Sequence, residues 1–312
     1  MNYLLIKFKR IKLYTFYEIY RHLYSHLFRK IYKIFNKNEY GDLANQSESD
    51  NGEYISFVKK ALKNDYYFNN FKRNPIYQFH LEHVTYKQGL EYLDIIITKN
   101  LNILNHIDKF IINDKTGNPI NFYYKDLNKK ISPTTLRYIK VASDLEYYFG
   151  NKFDNIVEIG CGYGGQYLVL DQIFKIQNYY SMFDLDDVNS LIKKNLEQFN
   201  TLSKYDLFNN VKKIDKIDLL ISNYAFSELP KKLQIKYLED VVSKSTHGYM
   251  TMNSGLDSNS DFNNFLSKKN NIIFHNDFEN HLHYSDIKKY IPNCRVVEEK
   301  PLTGNKNYII IW

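Results

Sequence analysis

The run Ile156-Val157-Glu158-Ile159-Gly160-Cys161-Gly162-Tyr163-Gly164-Gly165-Gln166 sets a carboxylate and four glycines where an apolar strand must turn into a helix. Glycines there let the backbone approach a ligand with no Cβ in the way, and the helix that follows points free N–H groups at it. This is the backbone of a nucleotide-like cofactor site. Gly160, Gly162 and Gly165 also satisfy the G-x-G-x-x-G spacing of a dinucleotide turn, so the glycines alone leave the ligand open. Glu158 separates the two chemistries, because a carboxylate repels a pyrophosphate and attracts a cationic amino group or a sulfonium. S-adenosylmethionine carries both cations and no phosphate. Glu158, Gly160, Gly162, Tyr163, Gly164 and Gln166 are therefore read as its cradle, against the competing reading of an ordinary tight turn.

The elements around this turn follow from the apolar runs. Tyr179-Tyr180-Ser181-Met182-Phe183 reads as a second strand with Asp184 at its C-terminal end, where a carboxylate can accept hydrogen bonds from both ribose hydroxyls. Asp186 or Asp187 is then left to cap the helix expected over residues 188–199. A third run, Ile217-Asp218-Leu219-Leu220-Ile221-Ser222, ends in Asn223-Tyr224-Ala225-Phe226-Ser227-Glu228-Leu229-Pro230, and Asn223 joins the cofactor set. A helix over 230–243 and strands over 249–253, 295–302 and 308–312 complete the pattern. The last two strands, joined by a short Gly- and Asn-containing connection, make an antiparallel hairpin. Alternating strands and helices predict an α/β fold, a mostly parallel sheet with helices on both faces.

With these blocks in view, the chain resembles the sugar O-methyltransferases encoded with bacterial surface-polysaccharide genes, a class I S-adenosylmethionine-dependent group. The resemblance covers roughly residues 65–312. It rests on Ser132-Pro133-Thr134-Thr135-Leu136-Arg137-Tyr138, the block from Val157 to Gln166, Phe183-Asp184-Leu185-Asp186, the block from Ser222 to Pro230, and the Asn-rich C-terminal hairpin. It implies a Rossmann-like seven-stranded sheet with a C-terminal antiparallel hairpin, preceded by a helical N-terminal region. It also implies methyl transfer to a sugar or sugar-linked hydroxyl in capsule or lipopolysaccharide biosynthesis. The acceptor would be a nucleotide sugar, a lipid-linked glycan or a polysaccharide.

Such a hydroxyl is a weak nucleophile, and a carboxylate or imidazole within hydrogen-bond reach can take its proton as the new bond forms. Glu228 is the first candidate base, in the loop over the C-terminal edge of the sheet where ligands bind in open α/β folds; the alternative is a helix-capping role. His281 and His283 are the second, an alternating pair that points the same way if the segment is extended. Asn253 is placed to position the acceptor hydroxyl. Ser132 and Pro133 start a helix, which puts Arg137 and Tyr138 in its second turn as candidate substrate residues. Arg137 could clamp the cofactor carboxylate or an acceptor phosphate, or form a surface ion pair.

Charge is unevenly spread. Residues 1–37 hold nine Lys/Arg against one Glu; of the 42 basic and 35 acidic residues in the chain, 33 and 34 remain for the rest. Leu13, Phe16, Tyr17, Tyr20, Leu23, Tyr24, Leu27, Ile31 and Ile34 recur in this arm at helical spacing. A basic amphipathic helix of this kind either lies on an anionic membrane surface or packs on protein. Four segments result: the arm (1–37), a polar linker (38–53), a helical accessory region (54–150) with helices expected over 55–63, 78–99 and 132–149, and the cofactor-binding domain (151–312). No run is long enough to span a membrane and no signal peptide is apparent, so the expected location is cytoplasmic, with peripheral contact at the inner face of the membrane if the arm binds lipid.

Two cysteines, Cys161 and Cys294, make no disulfide framework, and without a C-x-x-C or His/Cys cluster no metal site is expected. The nearly neutral body offers no electrostatic track for nucleic acid, so no nucleic-acid partner is expected. A nucleic-acid or other small-molecule methyltransferase, and a non-catalytic S-adenosylmethionine-binding scaffold, stand as the alternative functions.

Overall fold

The computed structural model describes residues 52–256, 282–304 and 307–312. The basic arm, almost all of the linker and His281 lie outside them. The described residues fall into two compact units, Gly52–Val141 and Ala142–Trp312.

The first unit is mostly helical. Helix α1 (Glu53–Lys63) buries Ile55, Phe57, Val58 and Ala61, the i, i+3 stripe of an amphipathic helix. The short α2 (Asp65–Asn69) and α3 (Pro75–His80) each begin at an asparagine whose side chain accepts a backbone N–H, Asn64 from Tyr66 and Asn74 from Ile76. Then comes α4 (Tyr86–Asn100), so the single helix expected over 78–99 is in fact two. The break has a local cause. Thr85 and Gln88 form a reciprocal cap, with Gln88 N–H on Thr85 Oγ1 at 3.0 Å and Thr85 N–H on Gln88 Oε1 at 2.9 Å, which starts a new helix there. After the single turn α5 (Ile107–Phe110), an antiparallel hairpin of β1 (Phe122–Tyr124) and β2 (Lys129–Ile131) leads into α6 (Pro133–Phe149). Ser132 caps α6 as its sequence suggests, accepting the Thr135 N–H at 3.1 Å.

The second unit is built on a seven-stranded sheet. Its strands are β3 (Lys152–Ile159), β4 (Lys175–Phe183), β5 (Tyr205–Phe208), β6 (Ile217–Asn223), β7 (Ser245–Met252), β8 (Arg295–Val297) and β9 (Tyr308–Ile311). They lie in the order β5-β4-β3-β6-β7-β9-β8. The first five are mutually parallel, and β9 runs antiparallel to both β7 and β8. This is the Rossmann-like arrangement of class I methyltransferases. Two details differ from expectation. The strand β5 carries no clear apolar run, and β8 stops at Val297 instead of reaching Leu302, so the connection to β9 is a longer loop.

Helices α7 (Gly165–Leu170), α8 (Asp186–Leu196), α9 (Ala225–Glu228), α10 (Lys231–Asp240) and α11 (Tyr284–Tyr290) follow their strands. On one face of the sheet Val157, Ile159, Leu220, Met250 and Ile310 pack with Phe226, Leu238 and Ile287 from α9, α10 and α11. Each such aliphatic side chain taken out of water contributes about 1.5–3 kcal/mol. Ile156, Glu158 and Tyr180 point to the opposite face, where Tyr167 of α7 meets the Tyr180 ring edge-on at 4.9 Å between centroids. The strand order reverses at β3, whose neighbours β4 and β6 lead away to either side. The C-terminal end of β3 is therefore the topological switch point where open α/β sheets bind ligands. Among the described residues no helix is long and apolar enough to cross a membrane.

Candidate functional site

The turn after β3 is left-handed at three glycines, with φ of 76° at Gly160, 59° at Gly162 and 79° at Gly164. At Gly160 the requirement is also spatial, because a Cβ there would lie 2.0 Å from the Ala225 Cβ of α9. The loop after β6 thus presses directly on the glycine turn. Ser222 secures the junction, donating to Ile159 O at 3.0 Å and accepting the Phe226 N–H at 3.1 Å.

Two carboxylates bound the turn. Asp184, at the end of β4, accepts the N–H groups of Cys161 (2.7 Å) and Gly162 (2.9 Å) on one oxygen and that of Leu185 (2.8 Å) on the other. The residue expected on the ribose is thus first a brace for the glycine turn. Each carboxylate oxygen has two lone pairs, so capacity for a further donor remains. Burial pushes its carboxyl up to about 6, against the pull of the three N–H groups.

Glu158 is 2% exposed and accepts the Tyr180 hydroxyl at 2.7 Å. Burial pushes its carboxyl up to about 8; the Tyr180 hydrogen bond opposes this and the neighbouring Asp184 adds to it. The expected standing negative charge therefore needs one change. Raised to about 8, this carboxyl favours its protonated form at neutral pH. Among the described residues no lysine or arginine is one of the groups that move either carboxyl.

Of the other residues read as cradle, Tyr163 and Gln166 are buried, and the Tyr163 carbonyl accepts the Asn195 side chain at 2.9 Å. Asn223 ends β6 opposite Thr251, whose hydroxyl donates to its Oδ1 at 3.4 Å. Tyr224 follows with φ 67° and ψ −25°, a conformation that costs a non-glycine residue about 1–2 kcal/mol. Its N–H is taken by Thr251 O at 2.8 Å.

Glu228 and Asn253, singled out separately from the sequence, are brought together. Asn253 Nδ2 donates to Glu228 Oε1 at 2.8 Å, and Asn253 Oδ1 accepts the Ser227 hydroxyl at 2.7 Å. Ser227 was not anticipated. The sequence signal for it was its place beside Glu228 in the loop after β6. The half-buried Glu228 so held is oriented by an amide, as a positioned base requires. His283, the alternative base, is the N-cap of α11: it forms a reciprocal capping box with Asp286, whose carboxyl is held below the usual range chiefly by the Lys289 hydrogen bond. Among the described residues no group of three or more His, Cys, Asp or Glu side chains could hold a metal ion.

Arg137 and Tyr138 belong to the first unit. Arg137 is 9% exposed, lies over the Tyr138 ring at 5.5 Å, and donates to Leu81 O at 3.4 Å. It faces Glu82, a buried carboxyl raised by desolvation and pulled back by Lys72, a Thr134 hydrogen bond and Arg137. Lys72, buried in the same network, is pushed down to about 8 by desolvation and held up by Glu82 and Asp114. Asp114 in turn accepts the Ser132 N–H and hydroxyl and the Thr135 hydroxyl at 2.7, 2.8 and 2.6 Å. The surface ion pair considered for Arg137 is replaced by a buried charge network.

No family model matches the chain, and no curated protein sequence matches it. Among solved structures, similarity is found to an S-adenosylmethionine-dependent methyltransferase from Aquifex aeolicus, at 12% identity over 54% of this chain and 86% of that one, with a TM-score of 0.37. An S-adenosylmethionine-dependent methyltransferase from Clostridium acetobutylicum is similar at 13% identity over 56% and 88%, with a TM-score of 0.38. PigF, solved with S-adenosylhomocysteine, is similar at 10% identity over 70% and 72%, with a TM-score of 0.36. Likeness this distant assigns no activity, and the chemistry of this chain is argued from its own residues.

Proposed function

We propose that the chain is an S-adenosylmethionine-dependent O-methyltransferase acting on a hydroxyl of a sugar or sugar-linked acceptor in surface-polysaccharide assembly. One observation carries the cofactor reading. A glycine turn at the switch point of the sheet is bounded by two carboxyls, Glu158 and Asp184, and among the described residues no cation is one of the groups that set their charge. A pyrophosphate there would meet repulsion from Asp184 and gain nothing from a neutral Glu158, whereas a cationic ligand favours the ionised form of both carboxyls.

S-adenosylmethionine, when bound, supplies a methyl group already activated by positive sulfur. The chain's own residues do the rest. Glu158 gives up its proton and holds the cationic end, the glycine turn lets the backbone close on the ligand, and Asp184 keeps that turn in shape while offering its one remaining lone pair to a hydroxyl. Glu228, oriented by Asn253, accepts the proton of the acceptor hydroxyl at its carboxylate as the hydroxyl oxygen becomes the nucleophile. The sugar acceptor follows from the motif resemblance, carried chiefly by the strings Gly162 to Gln166 and Asn223 to Glu228. The enzyme is placed in the cytoplasm, and the basic arm brings it to lipid-linked precursors.

Calorimetry with S-adenosylmethionine and NADH in parallel tests the cofactor. Binding of the first only, at roughly micromolar affinity, is expected; binding of NADH instead removes the reading. Mass spectrometry of surface glycans with and without the gene then tests the acceptor, with loss of one methyl group expected. Flotation of full-length protein with anionic vesicles, compared with a chain lacking residues 1–37, tests the arm.

A further inference from the structure

The loop that follows β8 holds a carboxylate for which the proposed reaction has no use. Glu299 is 3% exposed, and its partners among the described residues are all neutral. Oε1 accepts the Tyr224 phenol, Oε2 accepts the Thr303 N–H at 2.8 Å, and the Thr303 hydroxyl lies 2.8 and 3.0 Å from the two oxygens. Asn307 Nδ2 donates to that hydroxyl at 2.8 Å. A buried carboxylate is costly unless its hydrogen bonds are made, and this one is tightly held.

At the other end of the phenol, the Tyr224 backbone sits in a region that bulky side chains rarely adopt. Its N–H bonds to Thr251 O, and its hydroxyl meets Glu299 and, at 3.3 Å, Thr303 Oγ1. The consequences reach both halves of the site. The next residue, Ala225, lies against Gly160 of the glycine turn. The Tyr224 carbonyl accepts the Ser227 hydroxyl at 2.9 Å, and that hydroxyl also meets Asn253, which holds Glu228. A continuous hydrogen-bonded path thus runs from the C-terminal loop to the candidate base.

We propose that Glu299 and Tyr224 are positioning residues: the carboxylate holds the tyrosine in its left-handed conformation, and the tyrosine sets the turn that packs on the glycine loop and presents Glu228. The identity of what the turn is presented to rests on the methyltransferase reading; the holding of the turn does not.

The test uses the full chain as wild type, Tyr224→Phe, Glu299→Gln, the double variant, Thr303→Val and Thr303→Ser. Hydrogen exchange of peptides spanning 223–229 is measured without ligand, and S-adenosylmethionine binding by calorimetry. Exchange about tenfold faster is expected in Tyr224→Phe, Glu299→Gln and Thr303→Val, with Thr303→Ser matching wild type because it keeps the hydroxyl. Affinity should fall about three- to tenfold in the same variants, with the double variant no weaker than either single one, the signature of groups acting as one unit. Unchanged exchange in Tyr224→Phe and Glu299→Gln, or failure of Thr303→Ser to restore what Thr303→Val loses, overturns the proposal. A wild type that binds no S-adenosylmethionine while the exchange pattern holds sinks the cofactor reading and leaves the positioning pair standing.

Discussion

Each unit of this protein holds a pair of acids with one member buried, Glu82 in the first and Glu158 in the second, and the two pairs are treated in opposite ways. In the first unit Glu82 and Asp114 face Lys72 and Arg137, so the charges are matched from within. In the second, Glu158 and Asp184 stand at the switch point of the sheet, and among the described residues hydroxyl and N–H groups answer them. Matched buried charges are architecture, because removing one partner strands the other. Unmatched ones are pushed toward their neutral forms by burial, and a cationic ligand can favour the charged form again. A sequence with acids in both places gives no hint of this division; their surroundings make it.

The sharpest way to break the comparison is to unmatch the first pair. Lys72→Met should destabilise the protein by about 3–5 kcal/mol, read by urea denaturation, because Glu82 and Asp114 lose the more deeply buried of their two cations, leaving Arg137. Glu158→Gln should do the reverse. The folded state raises this carboxyl from 4.5 to about 8, so in the wild type stability is lost as pH climbs through that window, by at most about 1.4 kcal/mol per pH unit. The amide does not titrate and can still accept the Tyr180 hydroxyl. Thermal melts should therefore show Glu158→Gln level with wild type near pH 4 and more stable by a few kcal/mol at pH 8, while calorimetry shows it has lost S-adenosylmethionine.

Asp184→Ala takes acceptors from the Cys161, Gly162 and Leu185 N–H groups. It should weaken S-adenosylmethionine binding by about 1.5–3 kcal/mol, with loosened exchange at the glycine turn. The smallest effect is the pH profile of the wild type itself. Below pH 8 ligand binding must expel the Glu158 proton, so affinity should rise up to about tenfold per pH unit toward pH 8 and then level off. Titrations in buffers of different ionisation enthalpy would count the released proton. A flat profile would mean that Glu158 is not what meets the cation.

Local features of the chain were legible wherever a short-range rule governs them. Four glycines after an apolar run could only be a turn that needs left-handed backbone, and Ser132-Pro133 could only open a helix. The strands β3, β4, β6 and β7 announced themselves because their C-terminal stretches, largely buried in the sheet, read as apolar runs. Strand β5 did not, since Tyr205-Asp206-Leu207-Phe208 is a half-buried edge strand with a charge in it. The Thr85/Gln88 cap was readable in principle, and a longer apolar pattern masked it. The Asn253–Glu228 contact and the Glu299–Tyr224 bond join residues 25 and 75 positions apart, and no local pattern records such pairings.

The amino-acid sequence by itself determined the alternation of strand and helix, the glycine turn and the acids beside it, because these follow from backbone sterics and hydrophobic period. Only the tertiary structure decided the state of those acids. It makes Asp184 a brace for the turn and raises the Glu158 carboxyl toward its protonated form. The reason is that a pKa is set by everything folded around the carboxyl, and that environment is assembled from strands and helices far apart along the chain.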